Sequence, residues 1–283
     1  MASYLQIENI SKSYGPKVLF EHIGFNINEG DKIALIAPNG TGKSTLLRIL
    51  AGNDKSDSGG KITFLKHLRI AFLEQEFSHD PEKVVFTQVM DSSRNFTDGL
   101  DDDDLFAYEL RVKKFLTSFG IDEGALMKNL SGGEVKRVAL TVMLASEADF
   151  YIMDEPTNHL DIDAIEFLEN YLGHSRSTLL MVTHDRYFLD KVATKILAFE
   201  NGSIRSFFGR YTDYLDEKAF EAEATNQVQK AEKEKVVKVR EEKKRMTYQE
   251  KQEWASIESD IEALENCISV IEEEMQANGS DFG

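Results

Sequence analysis

The sequence has a single cysteine, Cys267, and four prolines in 283 residues. One cysteine excludes a disulfide within the chain and suits a reducing compartment, so we expect a cytoplasmic protein. No apolar run approaches the roughly 20 residues that cross a bilayer. The first residues, MASYLQIENI, have no basic region followed by an apolar stretch. We therefore expect no membrane insertion.

Positive charge is also scarce, because 33 Lys and Arg face 50 Asp and Glu, giving a formal net charge of −17. This balance argues against attraction of the whole surface to nucleic acid. Any contact with RNA would have to be local, and the best candidate is residues 227–245, where basic residues slightly outnumber acidic ones. Mixed-sign runs of this kind are equally often solvated helix faces.

Residues 1–208 alternate apolar runs of strand type with helical or loop segments, the pattern of an α/β domain. The strand-like runs are YLQIENI, VLFEHIGFNI, RIAFLEQ, FYIMDE, STLLMVTH and KILAFE. Beyond them the composition changes to abundant Glu, Lys and Ala without proline, which predicts long helix. We expect a charged helical linker at 209–245 and a coiled-coil helix at 246–283.

The predicted C-terminal helix carries apolar residues at alternating steps of three and four, which is a heptad seam. Its members are Trp254, Ile257, Ile261, Leu264, Ile268, Ile271 and Met275. Burying each such side chain contributes roughly 1.5–3 kcal/mol, so the seam requires a partner. The partner is another chain, the body of the domain, or a continuation of the sequence.

The stretch from Ala37 to Ser44, APNGTGKS, matches the phosphate-binding loop pattern G-x-x-x-x-G-K-[ST] except that alanine replaces the first glycine. A strand-like run, KIALIA, precedes it and a helix-like run, STLLRIL, follows it. The first position needs a small residue, and alanine fits if its φ is negative. Gly40 and Gly42 are where the backbone must turn tightly and approach a ligand. We expect an intact loop, the alternative being an ordinary glycine turn.

This loop predicts binding of a nucleotide's phosphates with Mg²⁺. Lys43 would reach the β- and γ-phosphates, Ser44 would ligate Mg²⁺, and the helix N-terminus would add partial positive charge. The remaining candidate phosphate-binding residues are Asn39, Gly40, Thr41, Gly42 and Thr45.

A second acidic site follows the apolar run FYIM, where Asp154 and Glu155 stand side by side. Asp154 is placed to hold Mg²⁺, and Glu155 to polarise the water that attacks the γ-phosphate. Acidic pairs at strand ends also occur for structural reasons alone. Another acidic run, DGLDDDD, ends at Asp104 and is interpreted as a solvated loop rather than a metal site.

Between these sites lies LSGGE, residues 130–134, followed by a helical segment. Ser131 and Glu134 have the spacing of a capping box. A capping box does not need two successive glycines, so Gly132 and Gly133 predict a second surface that approaches phosphate.

Together these motifs resemble the ATP-binding cassette (ABC) family over residues 4–208. By position, APNGTGKS resembles the Walker A loop, YIMDE the Walker B strand and LSGGE the signature. The resemblance further implies that Gln75 is the Q-loop residue, catalytic and metal-binding, and that Asp161 ends the D-loop. It also implies that His184 is the catalytic switch histidine and that Tyr14 stacks on adenine. Ala37 and Glu134 depart from the usual Gly and Gln.

The implied fold is a P-loop NTPase with a RecA-like core, an antiparallel β subdomain and an α-helical subdomain, followed by the helical extension. In this family the signature of one cassette completes the ATP site of another. The resemblance therefore implies an ATPase that works as a two-cassette dimer, with a second copy or a different chain as partner.

Two longer stretches, DEPTNHLDIDAIEFLENYL and MVTHDRYFLD, resemble the ABC-F branch of soluble, ribosome-acting proteins. The stretch KKRMTYQEKQEWASIESDIEALE resembles the first helix of a C-terminal coiled-coil hairpin of that branch. The members of the ABC-F branch that have this hairpin usually carry two cassettes, so this chain resembles a one-cassette or shortened version. The expected function is an ATP-driven switch on the ribosome. The alternatives are the ATPase subunit of a transporter and an ATP-binding scaffold that hydrolyses little.

Overall fold

The computed structural model describes residues 2–57, 59–200 and 203–221 and, in the C-terminal part, 249, 251–254, 257, 261–265 and 268–269. The chain divides into two compact units, Met1–Glu217 and Lys218–Gly283. Within the described ranges, no helix combines the length and the apolar composition that a membrane span requires.

The first unit is a mixed α/β structure. Its strands are β1 (Ser3–Tyr14), β2 (Lys17–Asn28), β3 (Lys32–Ile36), β4 (Lys61–Phe64), β5 (Ile70–Leu73), β6 (Phe150–Asp154), β7 (Thr178–Val182), β8 (Lys195–Glu200) and β9 (Ser203–Phe208). Its helices are α1 (Lys43–Leu50), α2 (Val85–Ser92), α3 (Arg94–Thr97), α4 (Asp102–Ser118), α5 (Gly132–Ala145), α6 (Ile162–His174) and α7 (Arg186–Val192), with a 3₁₀ turn at Met127–Asn129. Helical backbone resumes from residue 211.

The strands form two sheets. A three-stranded antiparallel sheet has the order β2-β1-β4, and a six-stranded sheet has the order β5-β6-β7-β3-β8-β9. Neighbours from β5 to β8 run parallel, and β9 pairs with β8 antiparallel. The carboxyl ends of β6, β7 and β3 therefore meet at one edge of the sheet, which is where ligands bind in open α/β sheets.

The central strands are buried on both faces, and alternate residues supply two separate cores. On β6, Phe150 and Ile152 pack in a core with β1, β2 and α1. Tyr151 and Met153 pack in the other core, with α2 and with α4 to α7. The β-strand runs predicted from the sequence are confirmed, as is the mixed fold of parallel core, antiparallel sheet and helical subdomain.

The helical subdomain consists of α2, α3 and α4, which follow β5. Of these helices, α2 and α4 pack on α5, and α3 contacts α2. Part of the acidic run expected to be a loop begins α4 instead. Asp101 is the N-cap and accepts a hydrogen bond from the Asp104 amide at 2.9 Å, while Asp102 and Asp103 occupy the first turn. Carboxylates are stabilised at a helix N-terminus by its partial positive charge. The run is solvated, as expected, but it is helical from Asp102.

In the second unit, the described residues from 249 onward have helical backbone. Five members of the heptad seam fall among them and are exposed, namely Trp254, Ile257, Ile261, Leu264 and Ile268. The last two members, Ile271 and Met275, lie outside the described residues.

Candidate functional site

The phosphate-binding loop leaves the carboxyl end of β3 and enters α1. Gly40 and Gly42 have φ angles of 78° and 91°, the left-handed region that favours glycine. Ala37 has a φ outside that region, so its side chain is compatible with the turn. The left-handed backbone that favours glycine therefore occurs at Gly40 and Gly42 and not at Ala37, as predicted from the sequence.

Lys43 is the first residue of α1 and its side chain folds over the loop. Its Nζ donates to the carbonyl oxygens of Ala37 at 2.9 Å and Pro38 at 3.2 Å, and to Asn39 Oδ1 at 3.4 Å. Burial lowers the pKa of the Lys43 ammonium, whereas Glu155 and Asp154 oppose that shift. The ammonium thus contacts the loop, and Lys43 lines the same cavity as both acidic residues.

Asp154 ends β6 and is buried, and its Oδ1 atom has no hydrogen-bond partner among the described residues. An unpaired buried carboxylate oxygen is costly unless a cation or donor satisfies it. No cluster of three or more His, Cys, Asp or Glu that could hold a metal occurs in the described part of the chain. Mg²⁺ commonly binds through one or two protein oxygens together with phosphates and water, so Asp154 fits that ion.

Glu155 follows Asp154 with a φ of 48°, a left-handed conformation that is strained for a residue with a β-carbon. Its amide donates to the Val182 carbonyl at 2.8 Å. Its carboxylate accepts from the His184 amide at 3.3 Å and lies 3.4 Å from His184 Nε2. The ends of β6 and β7 thereby hold this carboxylate and this imidazole together.

The two strand ends are linked a second time by a buried contact between hydroxyl groups. Thr157 Oγ1 and Thr183 Oγ1 lie 3.1 Å apart, and Thr183 also accepts from the Asp185 amide at 3.1 Å. Asp185 in turn caps α7. The network therefore connects the backbone just after Glu155 with the residues on both sides of His184.

One cavity of about 490 Å³ gathers most of the predicted site. The predicted residues that line it are Tyr14, Asn39, Gly40, Gly42, Lys43, Ser44, Thr45, Gln75, Asp154, Glu155 and His184. Lys17, Leu19, Asn158 and Val182 also line it and were not predicted. Lys17 Nζ lies 3.7 Å from where a β-carbon on Gly40 would stand, so a second cation borders the loop. In the sequence, only the positive charge of Lys17 could have indicated that it belongs to the site.

Tyr14 lies at the mouth of this cavity and is 55% exposed. Its hydroxyl donates to Asp54 Oδ2 at 3.0 Å, and Lys12 Nζ lies 5.1 Å from the ring centroid. Lys12 also donates to Asp54 Oδ1 at 2.9 Å, and this hydrogen bond is the main reason that the pKa of Asp54 is lowered. A fixed, exposed ring at this place is able to stack on a base.

The LSGGE segment forms the capping box expected from its sequence. Ser131 caps α5 and accepts from the Glu134 amide, and the Glu134 carboxylate accepts from the Ser131 amide at 2.7 Å. The two glycines differ. A β-carbon on Gly132 would meet open space, whereas one on Gly133 would collide with the His159 carbonyl. Gly133 is therefore needed for packing inside the chain, and only Gly132 leaves an open surface.

Ser131, Gly132, Gly133, Thr41 and Asp161 do not line the cavity that holds the other candidates. Thr41 stays in the phosphate-binding loop, where its hydroxyl donates to the Pro38 carbonyl at 2.8 Å. Asp161 caps α6 by accepting from the Ala164 amide at 3.0 Å. The signature and D-loop residues thus lie outside the cavity that borders the phosphate-binding loop of the same chain.

Comparison with known proteins agrees with this geometry. Residues 20–158 match the family model described as ABC transporter. The chain is 36% identical to an uncharacterized ABC transporter ATP-binding protein, YfmR, of Bacillus subtilis, over 77% of this chain and 39% of that protein. It is 35% identical to the energy-dependent translational throttle protein EttA of Escherichia coli K12, over 76% and 38%.

A third relative is ABC transporter F family member 5 of Arabidopsis thaliana, which is 31% identical over 80% of this chain and 38% of that protein. The chain spans about two-fifths of the length of these curated relatives.

Solved structures show the same fold. An ATP-binding subunit of an ABC transporter aligns with a TM-score of 0.66 at 21% identity, covering 76% of this chain and 93% of that one. A dimeric ATP-binding cassette in a post-hydrolysis state with ADP and phosphate aligns with a TM-score of 0.61 at 22% identity, covering 72% and 98%. The chain therefore belongs to the ATP-binding cassette family of ATPases, with F-branch members among its relatives.

Proposed function

We propose that this chain binds ATP with Mg²⁺ and hydrolyses it, in a site that a second cassette completes. The observation that carries the proposal is that Lys43, Asp154 and Glu155 line one cavity with His184. A cation for phosphate, a free carboxylate oxygen for Mg²⁺ and a carboxylate for water are the parts that phosphoryl transfer requires.

The phosphate-binding groups come from the loop and α1. Lys43 would exchange the loop carbonyls that it now contacts for phosphate oxygens, which are charged and therefore stronger acceptors. The Gly40 and Gly42 conformations support a backbone that turns amide groups toward an anion. Tyr14 would stack on the adenine, and Asn39, Thr41 and Thr45 complete the proposed binding set.

Ser44, Gln75 and Asp154 are the residues proposed to hold Mg²⁺. When bound, the ion neutralises charge on the phosphate oxygens. Ser44 and Gln75 line the same cavity as Asp154, whose Oδ1 atom has no hydrogen-bond partner among the described residues, and this supports the assignment.

Glu155 is proposed to accept a hydrogen bond from the attacking water and so orient it toward the γ-phosphate. Its contact with His184 supports a shared role, because the imidazole 3.4 Å away orients the carboxylate. The strained Glu155 backbone also supports a functional role, since such strain persists where the surrounding structure imposes it.

The second cassette is proposed because Ser131, Gly132 and Asp161 lie outside the cavity that they are expected to serve. The signature residues of another copy, or of a different chain, would then face the phosphate-binding loop. The open surface at Gly132 supports this arrangement, since backbone can approach a phosphate there.

We further propose that the ATP cycle acts on the ribosome in the cytoplasm. Support comes from the relatives at 31–36% identity, which include a translational throttle protein and an F family member. The proposed organisation is a cassette at 1–208, a charged linker at 209–245 and a coiled-coil helix at 246–283, half of a hairpin. RNA contact would be local, because the net charge is −17.

The test has two arms on the full chain. Steady-state ATPase is measured for wild type and Lys43→Ala, and co-sedimentation with ribosomes is compared in ATP and ADP. ATPase that Lys43→Ala removes, with ribosome binding that ATP increases, is the expected result. Unchanged ATPase in Lys43→Ala contradicts the site. Association with membranes instead of ribosomes favours the transporter-subunit alternative.

A further inference from the structure

Lys136 is a buried lysine, and burial is energetically unfavourable for its charged ammonium group. It lies on α5, five residues after the cap at Ser131, and is only 5% exposed. Burial lowers the pKa of its ammonium to about 8, although Asp154 and Glu155 oppose the shift. Removing a charged amine from water costs free energy unless hydrogen bonds compensate.

The Lys136 ammonium joins two segments that end at the same cavity. Its Nζ donates to the Glu74 carbonyl at 3.2 Å and to the Asp154 carbonyl at 3.4 Å. Glu74 directly precedes Gln75, and Asp154 ends β6. The two carbonyls therefore belong to the backbone on which the two side chains Gln75 and Asp154 are carried.

The contact is to backbone oxygens, so the Asp154 carboxylate is left available. Its Oδ1 atom has no partner among the described residues. A lysine that neutralised the carboxylate directly would compete with a metal ion. Lys136 instead stabilises the position of the strand end while leaving the carboxylate oxygen free to ligate.

A second buried lysine provides a comparison within the same domain. Lys195 is 6% exposed and donates to the Asn26 carbonyl at 3.3 Å and to Asp31 Oδ2 at 3.4 Å. Asn26 is on β2 and Asp31 immediately precedes β3. Neither of these partners lines the candidate cavity. Both lysines are buried and bonded to backbone, but only Lys136 is bonded beside candidate metal ligands.

We propose that Lys136 is a positioning residue for Mg²⁺: it ties the Glu74 carbonyl, next to Gln75, to the Asp154 carbonyl so that the Gln75 and Asp154 side chains reach one ion. This inference rests on the proposed function, since it concerns the metal site used with ATP. Groups that orient metal ligands without touching the metal commonly contribute 10–100-fold to metal affinity. Because Lys136 is on the helix that begins with the signature, it also links that helix to the metal ligands.

The experiment measures binding of the fluorescent nucleotide mant-ATP to the full chain, with MgCl₂ and with EDTA. The ratio of the two affinities reports how much the metal strengthens binding. Wild type is compared with Lys136→Met, which removes the donors at similar length, with Lys136→Arg, which keeps donors, and with Lys195→Met as the matched buried-lysine control. Thermal unfolding by circular dichroism checks each variant for folding.

Lys136→Met is expected to lower the affinity ratio by about 10–100-fold, while binding in EDTA stays near wild type. Lys136→Arg should retain part of the ratio. Lys195→Met should lower thermal stability but leave the affinity ratio unchanged. A folded Lys136→Met variant with the wild-type ratio overturns the inference. If that variant does not fold, Lys136→Gln is measured in the same way, and a wild-type ratio there overturns it equally. Wild type that binds no nucleotide contradicts the proposed function itself.

Discussion

Arg137 and Asp161 form an ion pair, with Arg137 Nη1 3.2 Å from Asp161 Oδ2. Arg137 is on α5, the helix that begins with the signature segment, and Asp161 is the N-cap of α6. The same two segments meet again where Gly133 lies under the His159 carbonyl. The signature helix and the segment that leads into α6 are therefore docked on each other inside a single chain.

Two substitutions at Asp161 separate its two contacts. Asp161→Asn retains a capping oxygen and loses only a pair whose carboxylate is about half exposed, so it should reduce the free energy of unfolding by less than about 1 kcal/mol. Asp161→Ala also removes the cap and should cost about 0.5–2 kcal/mol. Urea unfolding measures both. Equal losses would mean that the cap contributes nothing.

The phosphate-binding loop gives a prediction about two of its residues. Lys43→Ala should abolish ATP binding, because it removes the ammonium that lies over the loop. Ala37→Gly should change little, because Ala37 already has an ordinary φ. Nucleotide affinity is measured for both variants. Wild-type affinity in Lys43→Ala would disprove the assignment of the site.

The adjacent glycines of the signature should respond differently to alanine. Gly133→Ala forces a β-carbon against the His159 backbone and should destabilise the fold by about 1–3 kcal/mol. Gly132→Ala meets open space and should leave stability nearly unchanged, while lowering ATPase if a second cassette uses this surface. Chemical unfolding and ATPase are measured side by side. A Gly133→Ala variant as stable as Gly132→Ala would contradict the packing argument.

Glu155→Gln tests the role of the carboxylate. It keeps the size of the side chain and leaves Asp154 intact, so ATP should still bind, whereas hydrolysis should fall by about 10²–10⁴. If closed dimers hold ATP more tightly, they should accumulate in this variant, since ligand shifts a population toward the state that it prefers. Analytical ultracentrifugation and ribosome co-sedimentation follow the two effects. A closed dimer that does not co-sediment with ribosomes would contradict the ribosome proposal.

The heptad seam gives a prediction for the C-terminal unit, where Ile261 and Ile268 are helical and exposed. Ile261→Asp with Ile268→Asp should reduce self-association or helicity, because a carboxylate cannot replace an isoleucine in an apolar contact. Nucleotide binding should be unaffected. Glu262→Gln with Glu265→Gln serves as the control on exposed polar positions. Unchanged sedimentation and circular dichroism in the isoleucine variant would mean that the seam is not packed.

Much of the cassette was predictable because its parallel strands are apolar on both faces and its motifs lie at their ends. Two strands were not predicted. In both β4 and β9 no residue is fully buried, so neither gives the continuous apolar run of a central strand. The start of α4 was assigned to a loop because an acidic run resembles solvated coil. Its capping contact, from Asp101 to the Asp104 amide, supplies the structure that composition did not indicate.

Within the site, the sequence predicted residues that belong to recognisable motifs and missed those that enter from elsewhere. Lys17 lines the cavity because of how the chain folds, and no motif marks it. Asn158 lies inside the DEPTNHLD stretch, but no role was predicted for it. The support of Tyr14 by Asp54 joins residues 40 positions apart. Gly133 was predicted for phosphate approach, but its packing under His159 is visible only in three dimensions.

The two-sided packing of β6 has a consequence for insertions and deletions. Phe150 and Ile152 belong to one core, Tyr151 and Met153 to the other, and Asp154 ends the strand. Removing one residue from the middle of β6 would turn half of its side chains toward the opposite core. It would also draw Asp154 back from the cavity by about 3.3 Å. The length of this strand is therefore constrained more tightly than the identity of its apolar residues.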